Sequence, residues 1–129
     1  MLIPPISTYM TPAPFVIEAW ARLGAAGELM RAHRVHHLPV MDHGRLVGVV
    51  CEHDLLRIHS SDDTVHDVMS PVATATAATP IDEVVALMTT KQAGSVVIVN
   101  NADVTGIFTR ADAMRALGDL LRRTDPSER

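Results

Sequence analysis

Residues 106–112 read GIFTRAD and residues 48–54 read GVVCEHD. In each, an apolar strand pattern ends on a small polar residue, and an aspartate follows three positions later. Thr109 and Asp112 match the Ser/Thr-x-x-Asp/Glu signature of a helix capping box, in which hydroxyl and carboxylate satisfy the free N–H groups of a helix start. Cys51 and Asp54 match its spacing with a thiol in place of the hydroxyl. A cap alone contributes ~1 kcal/mol to stability and carries no function. The same groups can also hold a ligand, because a capped helix start still presents N–H donors to an anion.

The two stretches belong to a longer duplication. YMTP at 9–12 returns as VMSP at 68–71, ELM at 28–30 as ALM at 86–88, and HHLPV at 36–40 as SVVIV at 95–99. The order is kept, with an offset of about 58–59 residues throughout. Each copy opens on a Met-Ser/Thr-Pro turn, since proline drives the preceding residue out of the helical region. A short extended piece follows, FVI at 15–17 or ATAT at 73–76. A helix comes next, expected from Arg22 to Ala32 in the first copy. In the second, Thr79 is the expected N-cap, Pro80 the first helical residue, and Asp82 and Glu83 sit in the first turn. Val84, Val85, Leu87 and Met88 form its apolar face. A hairpin then turns at DHGR (42–45) or NNAD (100–103). Closing helices are expected at 53–59 and 110–122. Each copy is thus strand–helix–strand–strand–helix, an α+β design. The division expected is 1–59, 60–122 with a short linker helix capped by Asp63 or Thr64, and a flexible tail at 123–129.

Composition narrows the function. The chain has 129 residues, 47% of them apolar and only 3% aromatic, so its core is aliphatic. With 11 basic and 15 acidic side chains the net charge is −4, and the basic footprint and aromatic platforms of a nucleic-acid binder are missing. No apolar run approaches the ~20 residues that span a bilayer. MLIPPISTYM lacks the basic start of a signal peptide. The one cysteine, Cys51, leaves no intramolecular disulfide and suits a reducing compartment. A cytoplasmic protein without a membrane or nucleic-acid partner is expected.

The tandem copies, opening on M-[ST]-P and closing on G-x-x-[ST]-x-x-D, resemble a pair of cystathionine-β-synthase-type (CBS) domains, a Bateman module, over about residues 9–121. The resemblance implies two pseudo-twofold-related β-α-β-β-α repeats packed sheet to sheet, forming a homodimer of pairs. It also implies clefts that take adenine nucleotides or adenosyl ligands, with AMP, ADP or ATP expected here, no required cofactor and no catalysis. Such a module regulates another protein, which the sequence does not identify.

Carried over by residue, Asp112 would hold ribose hydroxyls, with Thr109, the helix start and Arg110 near phosphate. The base would rest near Phe15, Val35 and His36. Asp54 would hold the second ribose, with His53 beside it and a base wall at Ala73, Thr74, Gly94 and Ser95. A thiol is a weak donor, so Cys51 implies that this second cleft is empty or takes a ligand without phosphate. Gly48 and Gly106 are expected where a ligand or the other copy approaches closely.

Other readings compete. The module could be a ligand-free dimerisation unit, or could sense metal or redox state through Cys51 and the histidines. HRVHH sets His33, His36 and His37 together, with His43, His53, His59 and His66 elsewhere. His33 ends a helix and His37 begins a strand, so the spacing does not suit chelation from one helix face, and no second cysteine completes a zinc motif. Cys51 beside His53 could suggest a nucleophile and base, but the spacing is that of an ordinary strand-to-helix junction. On the last helix Ala113, Met114, Ala116, Leu117, Leu120 and Leu121 cover roughly 160° of arc, wider than one core face needs. Part of that face is expected to meet a second subunit.

Overall fold

The computed structural model describes residues 2–57, 60 and 62–123. The first copy carries β2 (Ile17–Glu18), α1 (Leu23–His33), β3 (His37–Asp42), β4 (Arg45–Cys51) and α2 (Glu52–Leu55). The second carries β5 (Thr74–Ala75), α4 (Ile81–Lys91), β6 (Ser95–Asn100), β7 (Asp103–Thr109) and α5 (Arg110–Arg123). Before the first copy lies the short strand β1 (Thr11–Pro12), and α3 (Val65–Val68) lies in the linker. The expected strand–helix–strand–strand–helix order is therefore present twice.

The duplication reaches into backbone detail. β3 and β4 pair antiparallel with a bulge between Val40 and Met41, and β6 and β7 pair antiparallel with a bulge between Ile98 and Val99. The first hairpin turns through His43 (φ 50) and Gly44 (φ 77), the second through Asn101 (φ 56). α1 and α4 both end on a left-handed residue, Arg34 or Gln92, whose N–H closes back on a carbonyl of the last turn. β2 runs parallel to β3, and β5 parallel to β6, as a helical crossover requires.

The opening motifs pack with the opposite copies. The chain forms one unit from residues 1–13 with 73–129, and another from 14–72. β1 pairs antiparallel with β7, Thr11 opposite Ile107 and Pro12 opposite Gly106. Ser70 bridges Val49 through two backbone hydrogen bonds, of 2.9 and 3.0 Å. The first unit therefore has a sheet ordered β1-β7-β6-β5, and the second a sheet ordered β2-β3-β4. Division by packing and division by sequence copy run differently, because the residues that begin each copy pair with the last strand of the other, β1 with β7 and Ser70 with Val49 of β4.

Each unit has its own apolar core, aliphatic except for Phe108. Ile6, Ile81, Val84, Met88, Val96, Ile98, Phe108 and Ala116 fill one. Ala26, Met30, Leu38, Val40, Val50, Val65 and Val68 fill the other, with Ile17 and Ala19. The linker turn α3 docks on the second unit, where Val65 N–H donates to Ala21 O and His66 N–H to Ala19 O. The His66 ring stacks on Trp20 at 4.6 Å. Thr64 and Asp67 cap α3 reciprocally, so Thr64, one of the two expected residues, is the N-cap.

Local expectations shift in four places. α4 starts at Ile81, because Pro80 is still extended (ψ 144) and makes no side-chain cap. The Thr79 hydroxyl instead accepts Thr76 N–H at 3.1 Å, and Ile81 N–H finds its acceptor in Pro4 O at 3.0 Å. Val85 is exposed rather than part of the apolar face. Phe15 and Val16 precede β2 and are exposed. The helix expected at 53–59 begins at Glu52 and makes one turn, with Leu56 as its C-cap; residues 58–59 of it, and 124–129 of the tail, lie outside the described residues. No described helix is long and apolar enough to cross a membrane.

Gly48 and Gly106 serve the exchange of opening motifs. A Cβ on Gly48 would lie 2.7 Å from Met69 Sδ and 2.9 Å from the Ser70 carbonyl oxygen; one on Gly106 would lie 2.5 Å from Met10 Sδ. Within each unit, these bare backbones receive the methionine of M-[ST]-P. Gly48→Ala is expected to cost about 1–3 kcal/mol, as overpacking does. Gly106→Ala is expected to cost less, since only the flexible Met10 side chain must yield. Urea unfolding of the two variants checks the order, and equal midpoints with wild type would contradict it.

Candidate functional site

The sequence-predicted residues fall into two groups, one in each unit. Thr109, Arg110 and Asp112 share a unit with Ala73, Thr74, Gly94 and Ser95; His53 and Asp54 share the other with Phe15, Val35 and His36. Inside the first group, the β6–β7 register sets Ser95 opposite Thr109. In the second, His36 O accepts Glu52 N–H at 3.0 Å, so His36 stands beside the start of α2.

Asp112 is the centre of the first group and is only 2% exposed. Its Oδ2 accepts Thr109 N–H at 2.8 Å and the Thr109 hydroxyl at 3.1 Å, and Asp112 N–H donates to Thr109 Oγ1 at 3.4 Å. This is the capping box read from GIFTRAD. Oδ1 accepts the Thr11 hydroxyl at 3.1 Å and a hydrogen bond from Arg115 Nη2. The carboxylate thus ties the end of β7, the first turns of α5 and the incoming strand β1. Arg110, the first residue of α5, is exposed. Ser95 and Ala73 are buried, Gly94 is partly so, and Thr74 is exposed.

Asp54 repeats the arrangement with one change. It is 3% exposed, and its Oδ2 accepts Cys51 N–H at 2.8 Å. The Cys51 sulfur receives the Asp54 N–H and so completes the box. The thiol keeps the acceptor half of the hydroxyl's work. Burial pushes the Cys51 thiol above its ordinary value, and the neighbouring Asp54 carboxylate adds to the rise. A protonated thiol is a poor nucleophile and a poor redox sensor, which weighs against the redox reading. Arg57 Nη2 lies 3.3 Å from Asp54 Oδ1.

The surrounding aromatic groups are exposed. Phe15 is 45% exposed, and His33 stacks on it with ring centroids 3.7 Å apart. His36 Nδ1 lies 2.7 Å from Glu52 Oε2. His53 is exposed and Val35 packs against the core. Among the described residues, no group of three or more histidine, cysteine or acidic side chains is placed to hold a metal ion.

Sequence reasoning missed Thr11, Arg57 and Arg115 as parts of these constellations. The two arginines were open to discovery: DLLR at 54–57 and DAMR at 112–115 align in the duplication, and residues three apart share a helix face. The tie from Thr11 depends on the exchange of opening motifs and has no local signal.

The geometry alters how Asp112 must be tested. Asp112→Ala removes a cap and leaves buried donors unsatisfied, with an expected loss of about 1–3 kcal/mol. Asp112→Asn retains one acceptor oxygen and is expected to lose less. Thermal unfolding of both variants measures the difference, and an Asp112→Ala protein as stable as wild type would contradict this account of the junction.

Comparison with known proteins agrees with the duplicated fold. The CBS domain model matches residues 6–61 and again 65–119. A crystal structure of the CBS domain pair of protein MJ0100, in complex with 5′-methylthioadenosine and S-adenosyl-L-methionine, is 26% identical with a TM-score of 0.84, over 92% of this chain and 98% of that one. CBSX2 from Arabidopsis thaliana has been solved in complex with AMP; that structure is 25% identical with a TM-score of 0.77, over 91% of this chain and 98% of that one. Two curated relatives come from Methanocaldococcus jannaschii. L-aspartate semialdehyde sulfurtransferase is 26% identical over 88% of this chain, and zinc metalloprotease MJ0392 is 27% identical over 86% of it. The chain spans only 23% and 31% of their lengths. With two matches that together take in nearly the whole sequence, the chain belongs to the CBS domain family, as a tandem pair.

Proposed function

We propose that this CBS pair is a non-catalytic regulatory module that binds an adenosine-containing ligand through Asp112, with AMP, ADP or ATP as the ligand. The observation that carries the proposal is the buried Asp112 carboxylate at the start of a 14-residue helix, beside the Thr109 hydroxyl. A carboxylate accepts from adjacent ribose hydroxyls, and a helix start with Arg110 beside it favours phosphate. The adenosyl and AMP complexes of the MJ0100 and CBSX2 structures support the ligand class.

The other assignments implied by family resemblance belong to the same proposal. Phe15, Val35 and His36 would face the base of the Asp112 ligand. Asp54 and His53 would serve a second ligand, with Ala73, Thr74, Gly94 and Ser95 toward its base. Thr109 gives Asp112 a hydroxyl neighbour that Cys51 cannot give Asp54, so Asp112 is the preferred phosphate-bearing site. Regulation follows if the ligand has different affinities for two arrangements of the protein, since only that difference shifts a population. A partner protein would read the shift, in the cytoplasm, where Cys51 stays a thiol.

A ligand at ~100 times its dissociation constant stabilises by ~2.7 kcal/mol, a shift of several degrees in a domain of this size. Thermal unfolding with AMP, ADP, ATP and S-adenosylmethionine is expected to show such a shift for at least one, reduced in Asp112→Asn and retained in Asp54→Asn. A folded protein that shifts with none of them would overturn the proposal.

Association is part of the same reading. Met114, Leu117 and Leu121 on α5 are 70%, 53% and 54% exposed, while Ala116 on the opposite side is in the core. Spaced at three and four residues, they form the narrow stripe of a helix-pairing seam. This supports a homodimer in which α5 meets a second copy. Leu117→Glu is expected to lower the light-scattering mass from that of a dimer to the 14.0 kDa monomer. A monomeric wild type at micromolar concentration would remove the dimer from the proposal.

A further inference from the structure

The hydrogen bonds of Asp112 leave no place for a ribose. An ionised carboxylate has about four lone-pair sites, and here four donors fill them: Thr109 N–H and hydroxyl on Oδ2, Thr11 hydroxyl and Arg115 guanidinium on Oδ1. A ligand hydroxyl can be accepted only if one donor leaves. Three of the four are held by their surroundings. The Thr109 groups belong to the cap itself, and Thr11 sits on β1, fixed by its pairing to β7. Arg115 alone reaches Asp112 from a long side chain that is 65% exposed.

We propose that Arg115 is a latch on the nucleotide site, exchanging its bond to Asp112 Oδ1 for the phosphate of the incoming ligand. The inference rests on the reading of Asp112 as the ligand's ribose acceptor. Released by the ribose hydroxyl, the guanidinium keeps its charge, and water solvates it readily. Its bidentate fork suits a phosphate better than any other side chain. No other acidic partner holds Arg115 among the described residues. Arg57 stands toward Asp54 in the same i,i+3 relation, so helix geometry repeats the ion pair in the other copy.

The latch makes affinity depend on phosphate in a specific way. Adenosine must displace Arg115 and offers it nothing in return, whereas AMP displaces it and then binds it. Arg115 therefore opposes adenosine and assists AMP.

Calorimetric titration of wild type, Arg115→Gln and Arg115→Lys with adenosine and with AMP tests this. Arg115→Gln is expected to bind AMP about tenfold more weakly, the loss of one charge-assisted contact. It is expected to bind adenosine about two- to fivefold more tightly, because a part-buried ion pair with an exposed arginine end has been removed from competition. Arg115→Lys, with charge but no fork, is expected to fall between. Equal weakening of both ligands would assign Arg115 to helix support and overturn the latch, as would no change in either. A lower melting temperature without a change in the AMP-to-adenosine ratio is the same negative result. If wild type binds neither compound but binds ADP or ATP, the same ratio is read with that nucleotide; if it binds none of them, the ligand reading of Asp112 fails and the latch falls with it; if a nucleotide binds and the ratio is unmoved, the latch alone fails.

Discussion

A buried carboxylate three residues into a helix holds each half of this protein together. Asp112 joins strand end, helix start and an N-terminal strand more than a hundred residues earlier in sequence. Removing such a group from water is costly unless every oxygen finds donors, and the surrounding elements are arranged to supply them. The capping box positions α5, the Thr11 bond secures β1 on β7, and bare Gly106 admits Met10 beside them. Asp54 anchors the second unit by the same cap, with the Met69–Ser70 segment against Gly48. The M-[ST]-P motif of each copy thus packs into the unit that holds the other copy's closing aspartate.

Much of this was legible in the residues. The duplication, the order of elements, both hairpin turns and the capping box at Thr109–Asp112 all depend on local chemistry or fixed spacing. What escaped depends on distant chain. Nothing in MTP or MSP says which sheet a two-residue strand will join. The start of α4 moved past Thr79 and Pro80 because Pro4 supplies the acceptor for Ile81, a tertiary contact without local trace. Phe15 and Val16 have strand-like residue types, yet among the described residues no neighbouring strand pairs with them. Arg57 and Arg115 were visible as an aligned pair, but their meaning required knowing that the aspartates are buried.

The two copies differ where function would divide them. α5 has four turns and an exposed apolar stripe, while α2 has one turn. Thr109 donates to its carboxylate through both backbone and hydroxyl, whereas Cys51 contributes its N–H and a thiol that is only a weak donor. In the proposed reading the second copy therefore carries both the better-equipped ligand carboxylate and the face for association. Binding at the start of α5 and pairing along its length would act on one helix, a direct physical route from ligand to quaternary structure.

The central claim is that the junction read from GIFTRAD is both helix cap and ligand site. Amide hydrogen exchange across residues 106–115, with and without saturating AMP, tests it most directly. The account predicts slower exchange at Thr109 to Asp112 when AMP is present, because ligand adds to the cap and suppresses opening of the first turn. Unchanged exchange there, in a folded protein that binds AMP elsewhere or not at all, would leave Asp112 as a structural cap alone.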